Sequence, residues 1–506
     1  MGPTQRIIVN TLAQYARLLF CVVLSLYATR IVLKALGQRD YGIYSLVGGV
    51  IVMLAFITQA MVITTQRHLS FARGRGDAAQ VRAVFSNCLL LHIAIGGVLT
   101  VVLLALEEAV LGHMLVIDQE RLLATRWIYR FVSLSLLVTF VTAPYKALFI
   151  ARENIVFISI VDVADGVLKL LIALWLVYTT SDRLACYGLL MMLVSFFNYL
   201  VLALYGKVHY GECVLTPQRE DLDKNQLREI MGFAGWTIYS MGCVMGRTQG
   251  VAVVLNRCFG TLLNTSYGIA LQVFSSVQRV SQAVLNAVSP QLISSEGANE
   301  REKMLSLAAF TSKYSLLLLA LVVIPVVFEM EGILAFWLGE VPAHATTMCC
   351  FISLAALSDQ MTVGLNTANQ AMGRIRNFSL CVNTTKLMTV PAAWVCVKLT
   401  GEADAVMWCY LFIEIVCALL RLPLLKRSAG LQVGRFLNFA VAPAIFPIGI
   451  MAAVSWVLTT YVNMPLRFLL TFFLAAGAGC MTIWATGLDE REKAMVKKLT
   501  RRQRCR

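Results

Sequence analysis

The sequence predicts an all-α integral membrane protein of about fourteen transmembrane helices. Of its 506 residues, 58% are hydrophobic and only 14% are charged, whereas a water-soluble domain needs roughly a quarter of its residues charged to cover its surface. Apolar stretches of about 20 residues, the length that crosses a bilayer, recur along the whole chain. Lys and Arg collect in alternate connections between those stretches.

The stretches lie near 8–34, 41–66, 84–106, 127–148, 155–178, 185–206, 230–255, 262–288, 306–328, 347–370, 378–398, 404–424, 437–459 and 465–487. The first is too long for a removable signal peptide, carries Arg17 and Arg30, and is followed by no small-residue cleavage site. It is expected to remain as a membrane anchor.

With a cytoplasmic N-terminus, the inner connections hold Arg67, Arg73, Arg75 and Arg82, then Arg152, then Lys207, Arg219, Lys224 and Arg228. Arg301, Lys303, Arg374, Arg376, Lys426, Arg427 and Arg435 follow, and a basic tail runs from Arg491 to Arg506. The outer edges offer Arg39, Arg121, Arg126, Arg183, Arg257 and Arg467, and residues 329–346 contain no Lys or Arg. This roughly fourfold asymmetry places both termini in the cytoplasm. The net charge of +15 is therefore read as membrane orientation and not as a nucleic-acid surface, with the tail resting on anionic lipid headgroups.

The domain organisation follows from the longest link. Residues 1–206 form a six-helix bundle, 207–229 a cytoplasmic linker, 230–424 a second six-helix bundle, 425–487 two extra transmembrane helices and 488–506 the basic tail. The charged portion QREDLDKNQLRE, from Gln218 to Glu229, suits a short interfacial helix. Tyr41-Gly42-Ile43 and Tyr267-Gly268-Ile269 each follow a span with a glycine near its outer end, Gly37 and Gly260. Two like-oriented bundles with such a correspondence are an architecture that transporters use for alternating access. The 14 cysteines include no CxxC pair and no Cys/His metal spacing, so they are expected to be apolar packing residues, with neither a metal nor a cofactor.

Charged and polar groups inside the spans are the informative ones, because each costs on the order of 3 kcal/mol to insert without a partner or a water-filled cavity. Arg17, Arg247 and Arg279 read as unpaired cations, with Arg30 nearer the outer end of its helix. Gln272, Ser275, Ser276, Arg279, Gln282 and Asn286 recur at steps of three and four and draw a polar stripe along one helix. Asp359, Thr362, Asn366 and Gln370 repeat the pattern. Asp162, Asp165 and Lys169 share a face, where Asp165 can pair with Lys169; a structural pair and an ion-coupling site are both open. Lys313, Lys386 and Glu414 are further charges whose facing the sequence leaves open. Three unpaired cations point to an anionic substrate, since guanidinium suits bidentate phosphate recognition.

Four stretches in order carry a family resemblance: NTLAQYARLLFCVVLSLYATRIVLKALGQRDYGIYSLVGGV from Asn10, APYKALFIARE from Ala143, GRTQGVAVVLNRCFGTLLNTSYGIALQV from Gly246 and FWLGEVP from Phe336. Over roughly the first 440 residues the chain resembles the polysaccharide (O-antigen and capsule) flippases of the multidrug/oligosaccharidyl-lipid/polysaccharide (MOP) exporter superfamily, in a Bacteroides-like branch. The resemblance implies a V-shaped, MATE-like pair of six-helix bundles plus two C-terminal helices, with a cationic central cavity lined by the first, second, seventh and eighth helices. Arg17, Arg30, Arg247, Gln272 and Arg279 are then the substrate-binding candidates, and Asp165, Lys169 and Asp359 the ion-coupling candidates. Where relatives often carry Arg inside an N-A-A-R-G-I-A motif, this chain has Tyr267. Arg279, about three turns on, is the candidate to supply that charge.

The implied function is flipping of undecaprenyl-pyrophosphate-linked oligosaccharide from the cytoplasmic to the periplasmic leaflet of the bacterial inner membrane, for surface polysaccharide biosynthesis. Membrane lipids, H⁺ or Na⁺ as coupling ion, and polysaccharide polymerase machinery are the partners this implies; nucleic acid is not, and the chain is expected to be a monomer. No Walker A phosphate loop is present, which directs the energy source to an ion gradient. A cation-coupled multidrug efflux antiporter of the same superfamily would instead need an acid-lined cavity. A membrane glycan polymerase or transferase would need a long extramembrane loop, and no loop exceeds about 25 residues between the spans.

Overall fold

The computed structural model describes residues 3–52, 54–114, 119–179, 182–490 and 492–493. Residue 491 and residues 494–506, most of the expected basic tail, lie outside the described residues. Among the described residues the regular structure is helical. The long helices are α1 (Pro3–Val52), α2 (Ala55–Gly74), α3 (Ala78–Ala105), α4 (Leu122–Ala151), α5 (Ile155–Tyr178), α6 (Arg183–His209), α7 (Lys224–Phe259), α8 (Thr261–Gly297) and α9 (Arg301–Phe328). They continue with α10 (Ala345–Gln360), α11 (Val363–Met372), α12 (Arg376–Thr400), α13 (Asp404–Ala429), α14 (Val433–Tyr461) and α15 (Arg467–Gly487).

Among the described residues the apolar stretches fall on helix with two interruptions: 41–66 runs from the end of α1 past Leu54 into α2, and 347–370 is broken between α10 and α11. Among the described residues, eight helices are long and apolar enough to cross a membrane, or nine if α10 and α11 count as one bent span. Others are too polar for that measure: α5 carries Asp162, Asp165 and Lys169 within its 24 residues.

Local sequence explains where the helices begin and break. Gly37 interrupts α1 with φ 77°, and Gly260 separates α7 from α8 with φ 82°. Both are left-handed conformations that a Cβ disfavours, so the two glycines noted in the sequence occupy corresponding breaks. Asp77 caps α3 by accepting from the Gln80 amide at 3.1 Å, and Asp182 caps α6 by accepting from Leu184 at 3.0 Å. Two expectations need correction. The single span at 347–370 is a helix pair bent by 49° between Gln360 and Val363. The interfacial helix expected at Gln218–Glu229 is one 3₁₀ turn, Arg219–Asp221, followed by the first residues of α7, because the chain is pinned before it can lie flat.

That pin is on α3. The buried Asn87 side chain donates to the Asp221 carbonyl at 3.0 Å and to Gln226 Oε1 at 2.6 Å, and accepts from the Asp223 amide at 3.3 Å. Ser86 accepts from the Gln218 amide at 3.1 Å, and Arg82 pairs with Asp221 at 3.1 Å. Stranding buried polar groups costs about 1–3 kcal/mol each. Asn87→Leu should therefore expose Arg219 to trypsin severalfold faster in limited proteolysis, without changing the helix content seen by circular dichroism.

The chain divides into two compact units, residues 1–241 with 293–299, and residues 242–292 with 300–506. In the first, α1 packs along α5, and α4 packs against α2, α3 and α6. Its core holds Leu69, Phe85, Leu89, Tyr145, Phe149 and Leu202 in one cluster and Val32, Val47, Ile128, Tyr129 and Leu176 in another. In the second, α10 and α12 pack on α13, and α9 packs on α11, α14 and α15. Its larger core joins Val251, Leu255, Tyr267, Met348, Ile352, Met407 and Tyr410. Large apolar side chains such as Trp175, Phe196, Trp408, Phe412, Phe446 and Phe473 are exposed. In a bilayer that surface is the solvent contact.

Candidate functional site

The first unit carries a charged cluster built from four helices. Arg17 on α1 pairs with Asp162 on α5, and Lys146 on α4 approaches the other Asp162 oxygen at 3.4 Å. One turn along α5, Lys169 pairs with Asp165 at 2.7 Å, and Asn198 on α6 donates to Asp165 Oδ1 at 2.7 Å. Three cations thus face two carboxylates, leaving one net positive charge. The side chains are half-buried, with Arg17 28% exposed and Lys169 41%. The Asp165–Lys169 pair is the one expected from i,i+4 spacing. Arg17, by contrast, is not the unpaired cation expected, because α1 lies along α5 and meets Asp162.

The second unit contains a deeper network. Arg247 on α7 pairs with Glu414 on α13, and its guanidinium lies 4.3 Å from the centre of the Tyr410 ring. Lys386 on α12 bridges Glu414 at 2.5 Å and Asp359 on α10 at 3.2 Å. Arg421, two turns beyond Glu414 on α13, pairs with Asp359 at 2.6 Å. Again three cations face two carboxylates, here almost fully buried, with Arg247 and Glu414 each 3% exposed. The reading of Arg247 as an unpaired cation is therefore corrected: its counter-charge comes from a helix far away in sequence.

Arg421 also explains how the α10–α11 bend is held. Its Nη1 donates to the Asp359 carbonyl and to Thr362 Oγ1, both at 3.3 Å. A break in a helix frees carbonyls that must find donors when buried. Arg421 supplies them, fixing the Asp359 carboxylate and the backbone beside it with one guanidinium.

The polar stripe on α8 is a different kind of surface. Gln272, Ser276, Arg279 and Gln282 are exposed, while Ala270, Val277 and Val284 bury the opposite face. Ser275 and Ser276 donate to the Gln272 carbonyl at 2.9 and 3.1 Å, satisfying their hydroxyls within the helix. Arg279 and Arg30 are both exposed, and neither makes an ion pair among the described residues. Tyr267, where the resemblance expects Arg, is buried and donates to the Thr248 carbonyl at 3.3 Å. Twelve residues of helix separate it from Arg279, about 18 Å, so Arg279 does not stand in its place.

The five substrate-binding candidates therefore separate. Arg17 and Arg247 belong to ion-paired clusters, whereas Arg30, Gln272 and Arg279 present free polar groups. Of the three coupling candidates, Asp165 and Lys169 pair with each other, and Asp359 sits beside Lys386 and Arg421. Sequence reasoning missed Lys146, Asn198, Tyr410 and Arg421. A comparison of acids with bases over all spans would have flagged Arg421, which shares a face of α13 with Glu414 at a spacing of seven. Lys313, whose facing was open, is buried on α9 and pairs with Glu492 at 2.7 Å.

No protein-family model and no curated protein matches the sequence. Solved structures do match its fold. A MATE structure in the bent conformation superposes with a TM-score of 0.73 at 13% identity, over 87% of this chain and 98% of that one. A MOP superfamily transporter from Pyrococcus furiosus, described as having a binding pocket of reverse polarity that suggests a different function, gives 0.72 at 12% identity, over 86% and 97%. An outward-facing multidrug resistance MATE family transporter gives 0.68 at 12% identity, over 87% and 97%. The fold is that of MATE and other MOP-superfamily transporters, on a multi-pass membrane chain.

Proposed function

We propose that the protein is a flippase for undecaprenyl-pyrophosphate-linked oligosaccharide, working by alternating access in the bacterial inner membrane with both termini in the cytoplasm. The observation that carries this reading is the sign of the interior charge. Cations outnumber carboxylates in both charged clusters, the half-buried one and the buried one, and Arg30 and Arg279 are exposed without an acid partner among the described residues. A pyrophosphate entering a low-dielectric space loses its hydration, and fixed cations with hydrogen-bond donors are what offsets the loss. In the second unit Gln272 and Arg279 are the residues to meet phosphate; in the first, Arg30 is, and Arg17 lies half-buried in a cluster with one net positive charge. Arg247 acts by holding α7 to α13. The polyprenyl tail stays in lipid, which makes membrane lipids the surrounding partner; polysaccharide polymerase machinery would receive the product from a monomer.

Driving energy in this reading comes from a H⁺ or Na⁺ gradient. Asp165 and Asp359 would take the ion, and each is already held by a cation, Lys169 in one case and Lys386 with Arg421 in the other. Ion binding must then displace that cation, which links it to the helix packing. The fold likeness favours a second reading, cation-coupled multidrug efflux, against which the cationic excess speaks. The pocket described as reversed in polarity in one structure of this fold supports treating pocket sign as a variable that goes with substrate.

Binding separates the two readings. Undecaprenyl pyrophosphate titrated into the purified protein should quench tryptophan fluorescence, while ethidium should not compete. A charge-assisted hydrogen bond contributes roughly 1.5–3 kcal/mol, so Arg279→Gln should weaken that binding by about tenfold or more. Tight ethidium binding that is indifferent to Arg279 would favour efflux.

A further inference from the structure

We propose that Cys396 and Cys409 form a redox-modification site, a thiol pair that closes to a disulfide and ties α12 to α13. The described cysteines are thiols, and these two stand apart because their sulfur atoms are 3.1 Å from each other. A disulfide needs about 2.05 Å between sulfurs, so closure asks for roughly one ångström. The two helices already pack side by side and are joined through a short turn at Gly401, so the backbone has no search to make.

Access follows from position. Cys396 is four residues before the end of α12 and Cys409 five residues into α13, which is about 6 and 7.5 Å of helix from the connecting turn. Both are half-buried. On the proposed topology this turn faces the outer side of the membrane, where thiols are oxidised. Sequence spacing gives no hint of the pair, because the two residues meet only after the chain reverses.

The chemistry is thiol–disulfide exchange with an organic disulfide such as oxidised glutathione. The thiolate of one cysteine attacks the reagent, a mixed disulfide forms and one glutathione thiolate leaves. The second cysteine then displaces the other glutathione. The protein loses two electrons and two protons as one sulfur–sulfur bond forms, and the reagent's disulfide is reduced to two thiols. Cys409 lies five residues from Glu414, so the closed pair would staple the helices that carry the Lys386–Glu414 contact.

The test uses the full chain in detergent. It is oxidised with glutathione disulfide, blocked with N-ethylmaleimide, digested and mapped by mass spectrometry, so that topology and transport function do not enter. The expected result is a Cys396–Cys409 cross-linked peptide that dithiothreitol reverses, with a higher apparent unfolding midpoint in the oxidised wild type than in C396S or C409S treated alike. In C396S, Cys409 should carry maleimide or a single glutathione and no partner cysteine. Recovery of both residues in the wild type as maleimide adducts, or only as separate glutathione adducts, would overturn the proposal.

Discussion

Glu414→Ala is expected to remove most of the folded protein from the membrane fraction, with a collapse of the melting transition in fluorescence-detected size exclusion. Glu414 is 3% exposed and is the counter-charge of Arg247, which is equally buried, and of Lys386 at 2.5 Å. Without it Arg247 keeps only the Tyr410 ring, and Lys386 must share Asp359 with Arg421. Leaving a buried charge uncompensated costs about 3–5 kcal/mol, a large share of the roughly 5–15 kcal/mol that holds a typical fold together. The control distinguishes lost charge balance from lost packing. Arg247→Met with Glu414→Met removes both partners at once and should restore most of the yield that either single change loses. Equal melting of wild type and Glu414→Ala would show that the network does not hold these helices.

Gly364→Ala should be comparably damaging for an unrelated reason. On α11, a Cβ at this position would overlap the Ala308 carbonyl oxygen of α9 and lie 2.8 Å from the carbonyl carbon. Backbone cannot swing aside as a flexible side chain can, so α11 must move away. The Gly364 amide would then lose its bond to Ser312 Oγ, now 3.0 Å. Overpacking alone costs typically about 1–3 kcal/mol, and the shift would also disturb the bend that Arg421 holds at Asp359 and Thr362. Gly268→Ala is the matched control. That glycine meets nothing within 4 Å and sits within α8, so alanine there should leave the melting temperature unchanged or raise it. A Gly364→Ala protein as stable as Gly268→Ala would mean the two helices are not in backbone contact.

The sequence was legible where information is local. Apolar runs located the helices, and Gly37 and Gly260 marked breaks because their left-handed backbone depends on one residue each. Asp165 and Lys169 could be paired because helical geometry brings i and i+4 together. Arg17 and Asp162 are 145 residues apart, Arg247 and Glu414 are 167 apart, and Arg421 and Asp359 are 62 apart. Those pairs depend on which helices are neighbours, and hydropathy carries no record of that. The bend after Asp359 was hidden for the same reason: a distant guanidinium satisfies the freed carbonyl, and the local sequence reads as one apolar span. Pairing Arg17 and Arg247 removes them as free cations, yet each cluster keeps one more cation than carboxylate.

Flipping is read out most directly as transport in proteoliposomes. Oligosaccharide linked to undecaprenyl pyrophosphate is added to the outer leaflet, and its loss from reach of a membrane-impermeant, sugar-oxidising reagent is followed in time. If the protein is a flippase, vesicles containing it should protect the sugar faster than empty vesicles. Arg30→Gln with Arg279→Gln should slow protection by roughly tenfold or more while the protein still melts normally. Vesicles that accumulate ethidium against an ion gradient but leave the pyrophosphate lipid as exposed as in protein-free controls would contradict it.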